Sequence, residues 1–252
     1  MSAMESEFGV QATWTADAVG LLGAEYAIPA ACKGSASPAV LDWLAAECRL
    51  RPEMLLTDVG GGLGGPTAFA ARHHGIRPLV LEPMVAACAA ATQLFSVSAL
   101  ACEGARLPLA DESADAVWCL GVLCTTSDKT GLVEEIARIM KPGAALGLLV
   151  FTSDQPQPPG APEGNEFPSE AELPGLLDRA GLEITGSIRA ADLPADDRAE
   201  EWDRQAAEVQ ALVERLHTGD PRLSEAQEQE RRIGRLIGDG VVRANLLAAV
   251  RR

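Results

Sequence analysis

The sequence predicts an α/β fold in which a buried, mostly parallel sheet carries helices on both faces. Two patterns in residues 54–152 indicate it. Short, nearly continuous apolar runs alternate with helical stretches, and the first apolar run leads into a glycine-rich loop. The chain has 252 residues, 47% hydrophobic and 23% charged, which suits a globular protein with a full hydrophobic core.

Five apolar runs are predicted as strands, and the stretches between them as helices. The predicted strands are residues 54–59, 78–81, 96–101, 116–120 and 145–151, and the predicted helices lie near residues 66–74, 83–94 and 130–140.

The segments on either side of this core are more helical. Residues 1–50 are predicted as helices, because Ser37 and Pro38 begin a run with apolar residues at helical spacing. A Pro-rich loop over residues 152–168 precedes a helix that opens at Ser169 and a strand over residues 182–188. Residues 195–239 have the pattern of two amphipathic helices. Residues 241–250 are predicted as a last strand, with a helix as the open alternative.

The charge balance excludes several partners. Asp and Glu outnumber Lys and Arg by 36 to 21, so the formal charge is −15, and such a chain repels nucleic acid and acidic membrane surfaces. We find no apolar run of about 18 residues and no apolar signal core in MSAMESEFGV, so a cytoplasmic protein is expected. The six cysteines form no CxxC pair, and we predict free thiols and no metal site.

The most informative segment is LLTDVGGGLGGP at residues 55–66, where an apolar strand leads into five glycines and then a helix. Glycines let the backbone turn sharply and let a ligand lie against bare main chain. The start of the helix adds free N–H groups. The segment therefore predicts a nucleotide-type cradle at the carboxyl end of the first strand.

Two templates fit these glycines, and a purely structural turn is a third interpretation. GxGxxG, the dinucleotide fingerprint, fits residues 60–65, and DxGxGxG fits residues 58–64 with Asp58 as the acid. Glu82 ends the next apolar run, where an acid can accept both ribose hydroxyls of NAD or of S-adenosylmethionine (SAM). Glu82 is also suited to cap the helix after Pro83, and the two roles are compatible.

Four segments together resemble the class I SAM-dependent methyltransferases. DVGGGLG (residues 58–64) resembles the family's first motif, CEGARLPL (102–109) its "GDAERLPF" stretch, DAVW (115–118) the entry to its fourth strand, and EIARIMKPG (135–143) the stretch before its fifth. The motifs cover about residues 50–151 in the family's order and spacing. The sequence departs from the family at Gly61, often Cys, and at residues 123–125, where "LHH" becomes Leu-Cys-Thr.

The resemblance implies a Rossmann-like three-layer sandwich with a mostly parallel seven-stranded sheet in the order 3-2-1-4-5-7-6. It implies one domain over residues 1–252. Its parts are an N-terminal helical cap (1–50), a SAM-binding core (51–152), a linker with a helix and the sixth strand (153–194), a helical lid inserted before the last strand (195–239), and that strand (240–252).

It also implies a set of cofactor residues. Glu82 takes the position of the acid that binds the ribose, Glu103 that of the acid near the adenine, and Tyr26 that of an N-terminal aromatic residue that touches SAM. The full predicted set is Asp58, Gly60, Gly61, Gly62, Gly64, Glu82, Pro83, Met84, Glu103, Gly104, Leu120 and Tyr26.

An NAD-dependent oxidoreductase is a remote alternative. Hydride transfer usually needs a Tyr/Lys or His/acid pair, and the single tyrosine, Tyr26, precedes the glycine loop. Asp58 would repel a pyrophosphate, whereas the positive charges of SAM favour nearby carboxylates.

The predicted function is SAM-dependent methylation of a small molecule, a specialised metabolite, by in-line displacement that relies on positioning and desolvation. The alternative is a SAM-binding protein of the same fold that does not methylate: a cyclase, a hydroxylase or a regulatory binder. No general base is assigned. Asp128 and His217 are weak candidates, and their structural alternatives are a helix N-cap and a helix C-terminus.

The acceptor pocket is expected to involve the N-terminal helices, the loop after the fourth strand and the helical insertion. Its candidate residues are Trp14, Cys124, Thr125 and Trp202. A homodimer through the N-terminal helices or the insertion is also expected.

Overall fold

Helices on both faces of one sheet make up the fold, in a computed structural model that describes residues 3–32, 36–104 and 106–252. Ala105 of the CEGARLPL motif lies outside the described residues. The helices are α1 (Ala3–Leu22), α2 (Ala27–Ala31), α3 (Pro38–Glu47), α4 (Gly65–His74), α5 (Val85–Phe95), α6 (Lys129–Ile139), α7 (Glu172–Arg179), α8 (Ala199–Leu216) and α9 (Pro221–Gly238). The strands are β1 (Leu55–Val59), β2 (Arg77–Glu82), β3 (Ser98–Ala101), β4 (Ala114–Leu120), β5 (Met140–Thr152), β6 (Leu182–Arg189) and β7 (Arg243–Arg251).

The seven strands lie in the order β3-β2-β1-β4-β5-β7-β6, which confirms the predicted fold class and strand order. β1 to β5 pair in parallel, and β7 runs antiparallel between β5 and β6. Residues 243–251 are therefore a strand, and the alternative of a C-terminal helix is wrong. The carboxyl ends of β1, β2, β4 and β5 meet at one edge of the sheet, and the glycine loop lies there.

Alternate side chains of β4 face opposite layers of the core, as a pleated strand requires. Trp118 and Leu120 pack toward α3 and α4, whereas Val117 and Cys119 pack toward α6 and α7. Each layer of helices thus covers one face of the central strands, which explains why β4 is buried along nearly its whole length.

The ends of several elements differ from the predicted bounds. β3 begins two residues later than predicted, because Ser96 adopts a left-handed conformation (φ 54°) as the C-cap of α5. α5 begins at Val85, after an extended Met84. α7 begins at Glu172, whose carboxylate accepts hydrogen bonds from the backbone N–H and the hydroxyl of Ser169.

Helices α1, α2, α8 and α9 pack on one another around Trp14 and Val209. α1 also lies along α5, where Ala12 and Ala16 pack against alanines of α5 together with Leu63 and Met84. The cap therefore touches the glycine loop as well as the sheet's flanking helices.

Gly147 in β5 is a position where the core has no room for a methyl group. A Cβ there would lie 2.7 Å from Cδ1 of Trp118 and 3.1 Å from Sγ of Cys48, both of which are buried. We expect Gly147→Ala to lower the free energy of unfolding by about 1–3 kcal/mol through overpacking. In urea titrations the control Gly234→Ala, on α9 with open space around it, should instead raise stability by about 0.5–1 kcal/mol. Equal stability of Gly147→Ala and the native chain would contradict this account.

Candidate functional site

The glycine loop after β1 is a tight turn that only glycine accommodates without strain. Gly60, Gly62 and Gly64 all have positive φ angles, of 72°, 53° and 75°. The backbone N–H groups of Gly60 and Gly61 donate to the carbonyl of Leu81, at 2.7 and 3.3 Å. These hydrogen bonds attach the loop to the end of β2, so the two predicted cofactor segments form one site.

Glu82, the last residue of β2, holds the two segments together. One carboxylate oxygen accepts from the backbone N–H of Gly62 at 3.0 Å, and the other accepts from that of Met84 at 3.2 Å. The side chain is 3% exposed. Its pKa is raised by burial, and the two N–H donors act in the opposite direction.

Asp58, near the end of β1, is a buried carboxyl with one oxygen unpaired. Oδ2 accepts a hydrogen bond from the hydroxyl of Thr67, on α4, at 2.7 Å. Oδ1 is buried without a hydrogen-bond partner within the described structure. Burial raises the pKa of Asp58 to about 7, the Thr67 hydrogen bond partly offsets this, and the charge of Glu82 adds to it.

Asp58 and Glu82 place two carboxyl groups that are short of solvent at this edge of the sheet. Both pKa values are raised because the carboxylates are short of solvent, and an approaching positive group would lower them. A pyrophosphate would add negative charge to two poorly solvated carboxylates.

The surroundings of each glycine show which side of the loop is open. A Cβ on Gly62 would meet nothing within 4 Å, whereas a Cβ on Gly65 would lie 2.6 Å from the backbone of Ala31. α2 thus closes the loop on the side of α4 and leaves the face at Gly62 free. A Cβ on Gly60 would lie 2.4 Å from the side chain of Val122, in the loop that follows β4.

The remaining predicted cofactor residues are spread around this loop. Glu103 and Pro83 are exposed, and Leu120 is buried at the end of β4. Gly104 lies against Leu132, since a Cβ there would come within 2.9 Å of its side chain.

Tyr26 lies in a short 3₁₀ turn between α1 and α2. It packs against the cluster that α1, α2, α8 and α9 form around Trp14. A hydrogen bond to Glu208 on α8 raises the pKa of its phenol. The structure therefore places Tyr26 beside the helical insertion.

The two acid–base candidates both have structural partners. Asp128 is the N-cap of α6 and accepts from the backbone N–H of Gly131 at 2.8 Å. His217 is the C-cap of α8, and its ring stacks on Trp14 with the centroids 4.0 Å apart. The guanidinium of Arg222 lies 5.3 Å from the Trp14 ring.

The four acceptor candidates do not come together. Trp14 is buried against His217, and Cys124 is buried beside Phe167 and α9. Thr125 is exposed, with its hydroxyl donating to the carbonyl of Val122 at 2.9 Å. Trp202 lines a cavity of about 290 Å³ between α2, α3, α8 and the ends of β5 and β7.

The sequence analysis missed the other side chains of this cavity, among them Val40, Leu149, Phe151, Ala206 and Ala244. They come from distant segments and share no motif, so no local pattern marks them. Phe151 was partly predictable as a site residue, because it ends the predicted fifth strand at the same edge of the sheet as the glycine loop.

Comparison with known proteins agrees with this geometry. Residues 57–148 match the family model described as a methyltransferase domain. The match contains the end of β1, the glycine loop, Glu82 and β4, which are the elements that build the site. These residues are similar to a methyltransferase domain, in agreement with the resemblance to class I SAM-dependent methyltransferases.

Two curated relatives match over longer stretches. Glycine/sarcosine/dimethylglycine N-methyltransferase of Actinopolyspora halophila is 25% identical over 171 residues, 64% of this chain and 28% of that protein. Cycloartenol-C-24-methyltransferase 1 of Oryza sativa subsp. japonica is 24% identical over 211 residues, 80% of this chain and 60% of that protein. The chain thus spans less than two thirds of the length of both relatives.

Solved structures share the fold. The [4+2]-cyclase SpnF superposes with a TM-score of 0.67 at 23% identity, covering 84% of this chain and 79% of that one. Geranyl diphosphate C-methyltransferase from Streptomyces coelicolor A3(2), in complex with Mg²⁺, geranyl diphosphate and S-adenosyl-L-homocysteine, superposes with a TM-score of 0.59 at 16% identity. That match covers 85% of this chain and 80% of that one.

Two further properties concern the described residues. None of the helices in these ranges is long and apolar enough to cross a membrane. Likewise, the described His, Cys, Asp and Glu side chains include no group of three or more placed to hold a metal ion.

Proposed function

We propose that this protein transfers a methyl group from SAM to a small-molecule acceptor, a specialised metabolite. The observation that carries the proposal is the pair of buried carboxylates, Asp58 and Glu82, at the carboxyl edge of the sheet beside the glycine loop. SAM carries positive charge on its sulfonium and its amino group and has no phosphate, so it matches this pair. The methyltransferase relatives support the same assignment.

The residues fit SAM in two respects. The unpaired, buried Oδ1 of Asp58 is an acceptor suited to an ammonium group, since an unpaired buried carboxylate oxygen is costly to maintain. The open face of Gly62 is a cradle that any side chain at that position would fill. Asp58 and the glycines would hold the amino-acid end, and Glu82 and Glu103 the nucleoside.

When bound, SAM supplies an activated methyl group together with its own leaving group. The chain's own residues orient SAM and the acceptor and exclude water from them. Glu82 keeps the loop and the start of α5 in register through its two backbone hydrogen bonds, and the cap helices cover the site. Since Asp128 and His217 are both engaged elsewhere, the proposal relies on positioning and assigns no general base.

The proposal is tested by turnover. The purified chain is incubated with SAM and one acceptor at a time: amines such as sarcosine, sterols, prenyl compounds and neutral phenols. Release of S-adenosylhomocysteine is measured together with the mass of the acceptor. We expect release that depends on an acceptor and that matches the gain of one methyl group.

Two other outcomes would contradict the proposal in different ways. SAM binding without S-adenosylhomocysteine release for any acceptor would favour a SAM-binding protein of the same fold that does not methylate. Thermal stabilisation by NAD but not by SAM would favour the oxidoreductase alternative and overturn both SAM assignments.

A further inference from the structure

The cavity at Trp202 lies beside the proposed cofactor site and has a chemical character of its own. Leu149 and Phe151 form its floor at the end of β5, and Val40 and Trp202 close it from α3 and α8. Its volume of about 290 Å³ lies just below the range for ligand pockets, roughly 300–1,000 Å³.

Two contacts place the cavity next to the glycine loop. Cys32 lines the cavity and follows Ala31, whose backbone packs directly on Gly65 at the start of α4. On the other side, the Phe151 ring lies 3.7 Å from the position of a Cβ on Gly121, the residue that follows β4. The cavity and the open face of the loop therefore share the same edge of the sheet.

The lining is apolar and, at its mouth, acidic. Ser37 and Asp203 are its polar side chains among the described residues. The hydroxyl of Ser37 already accepts from the backbone N–H of Val40 at 3.4 Å, as the N-cap of α3. Asp203 is exposed on α8. No Arg, Lys or His of the described ranges lines the cavity.

This lining discriminates between classes of acceptor. A carboxylate or diphosphate placed in the cavity would lose its hydration, find no described cation and face Asp203. A neutral ring or hydrocarbon would instead bury apolar surface against Phe151 and Trp202.

We infer that the cavity bounded by Val40, Leu149, Phe151, Trp202 and Ala206 holds the acceptor, and that this acceptor is a neutral, mainly apolar compound. The inference rests on the proposed function, because the cavity is an acceptor site only if SAM binds at the adjoining loop. It ranks anionic amino acids and prenyl diphosphates below neutral compounds as substrates.

The test compares two probes of equal ring size, neutral 2-naphthol and anionic 2-naphthoate. Binding of each to the full chain is measured by titration calorimetry in the presence of S-adenosylhomocysteine. We expect naphthol to bind and naphthoate to bind at least about tenfold more weakly. This comparison needs only the native protein, so it stays decisive if a variant fails to fold.

A matched pair of variants then locates the binding site. Ala206 faces the cavity, and its neighbour Ala207 is exposed on the same helix. Ala206→Phe should weaken naphthol binding by about tenfold or more, whereas Ala207→Phe should leave it unchanged. Both variants should retain the native affinity for S-adenosylhomocysteine, which also shows that they are folded.

The outcomes distinguish a failure of the proposed function from a failure of the acceptor assignment. If the native chain does not bind S-adenosylhomocysteine or SAM, the proposed function fails. If cofactor binding is intact but naphthoate binds as well as naphthol, or Ala206→Phe and Ala207→Phe behave alike, the acceptor assignment fails and the proposed function stands.

Discussion

Gly62→Val is expected to abolish SAM binding, with a loss of affinity of at least about 100-fold. The Cβ of this variant would enter the open face of the loop, where nothing lies within 4 Å. Its two γ-methyl groups would extend further into the space that the proposed function gives to the cofactor. The affinity is measured by titration calorimetry.

The control must separate this effect from backbone strain, because Gly62 has a φ angle of 53°, which a β-branched residue rarely adopts. Gly181 has a φ angle of 75° and equally open surroundings, and it precedes β6 at the opposite edge of the sheet. Gly181→Val should lower stability by about 1–2 kcal/mol and leave the affinity for SAM unchanged. Native affinity in Gly62→Val would mean that the cofactor binds elsewhere.

Asp58→Asn is expected to weaken SAM binding and at the same time to stabilise the free protein near pH 8. The folded-state pKa of Asp58 is about 7, above its ordinary value of 3.8, because the carboxyl is buried. The folded state therefore holds a proton that the unfolded state releases, and the free energy of unfolding falls as the pH rises from about 4 to about 7. Asparagine does not titrate and so removes this loss. The free energy of unfolding, measured by urea titration at several pH values, should therefore fall less steeply between pH 4 and pH 7 in Asp58→Asn.

The same carboxylate gives SAM binding its pH dependence. An ionised Asp58 attracts the ammonium group of SAM, so the native affinity should rise as the pH approaches 7. It should fall again as that ammonium, an α-amino group with an ordinary pKa of about 8, loses its proton. Asp58→Asn should bind about tenfold or more weakly at pH 7.5 and should lack the acidic limb of the profile.

Asp178→Asn is the control for Asp58→Asn, because Asp178 lies on α7 beside the turn to β6, at the edge of the sheet away from the glycine loop. Its affinity for SAM and its pH profile should match those of the native chain. Retention of the acidic limb in Asp58→Asn would assign that pH dependence to another group, with Glu82 as the next candidate.

Local patterns were sufficient to predict most of the fold. The alternation of apolar runs and helical stretches predicted β1 to β5 with bounds that differ by at most five residues. The central strands gave the clearest pattern, because they lie between two layers of helices. The ends of elements were less predictable. Ser96, for example, belongs to the C-cap of α5 and not to β3, and this depends on one left-handed residue that no periodicity reveals.

The residues of the candidate site also differ in how far the sequence predicts them. The cofactor residues were predictable, because Asp58 and Glu82 lie at the ends of adjacent parallel strands and Gly62 lies just after the first of them. The right-handed connection between such strands brings their carboxyl ends to one edge of the sheet. The acceptor candidates were not predictable. Trp14 and Cys124 were selected as aromatic or loop residues, and the structure buries both without placing either in the lining of the cavity at Trp202.

The sequence by itself determined that this chain forms a parallel sheet with a glycine loop and two acids at its carboxyl edge, because those features follow from short-range periodicity and spacing. The tertiary structure alone decided that Oδ1 of Asp58 is left without a partner, that Tyr26 joins Glu208, and that Trp202 faces Phe151 across an apolar cavity. These relations depend on how helices far apart in the chain pack together. Packing is set by the complementary shapes of whole side-chain layers, which no short stretch of sequence specifies.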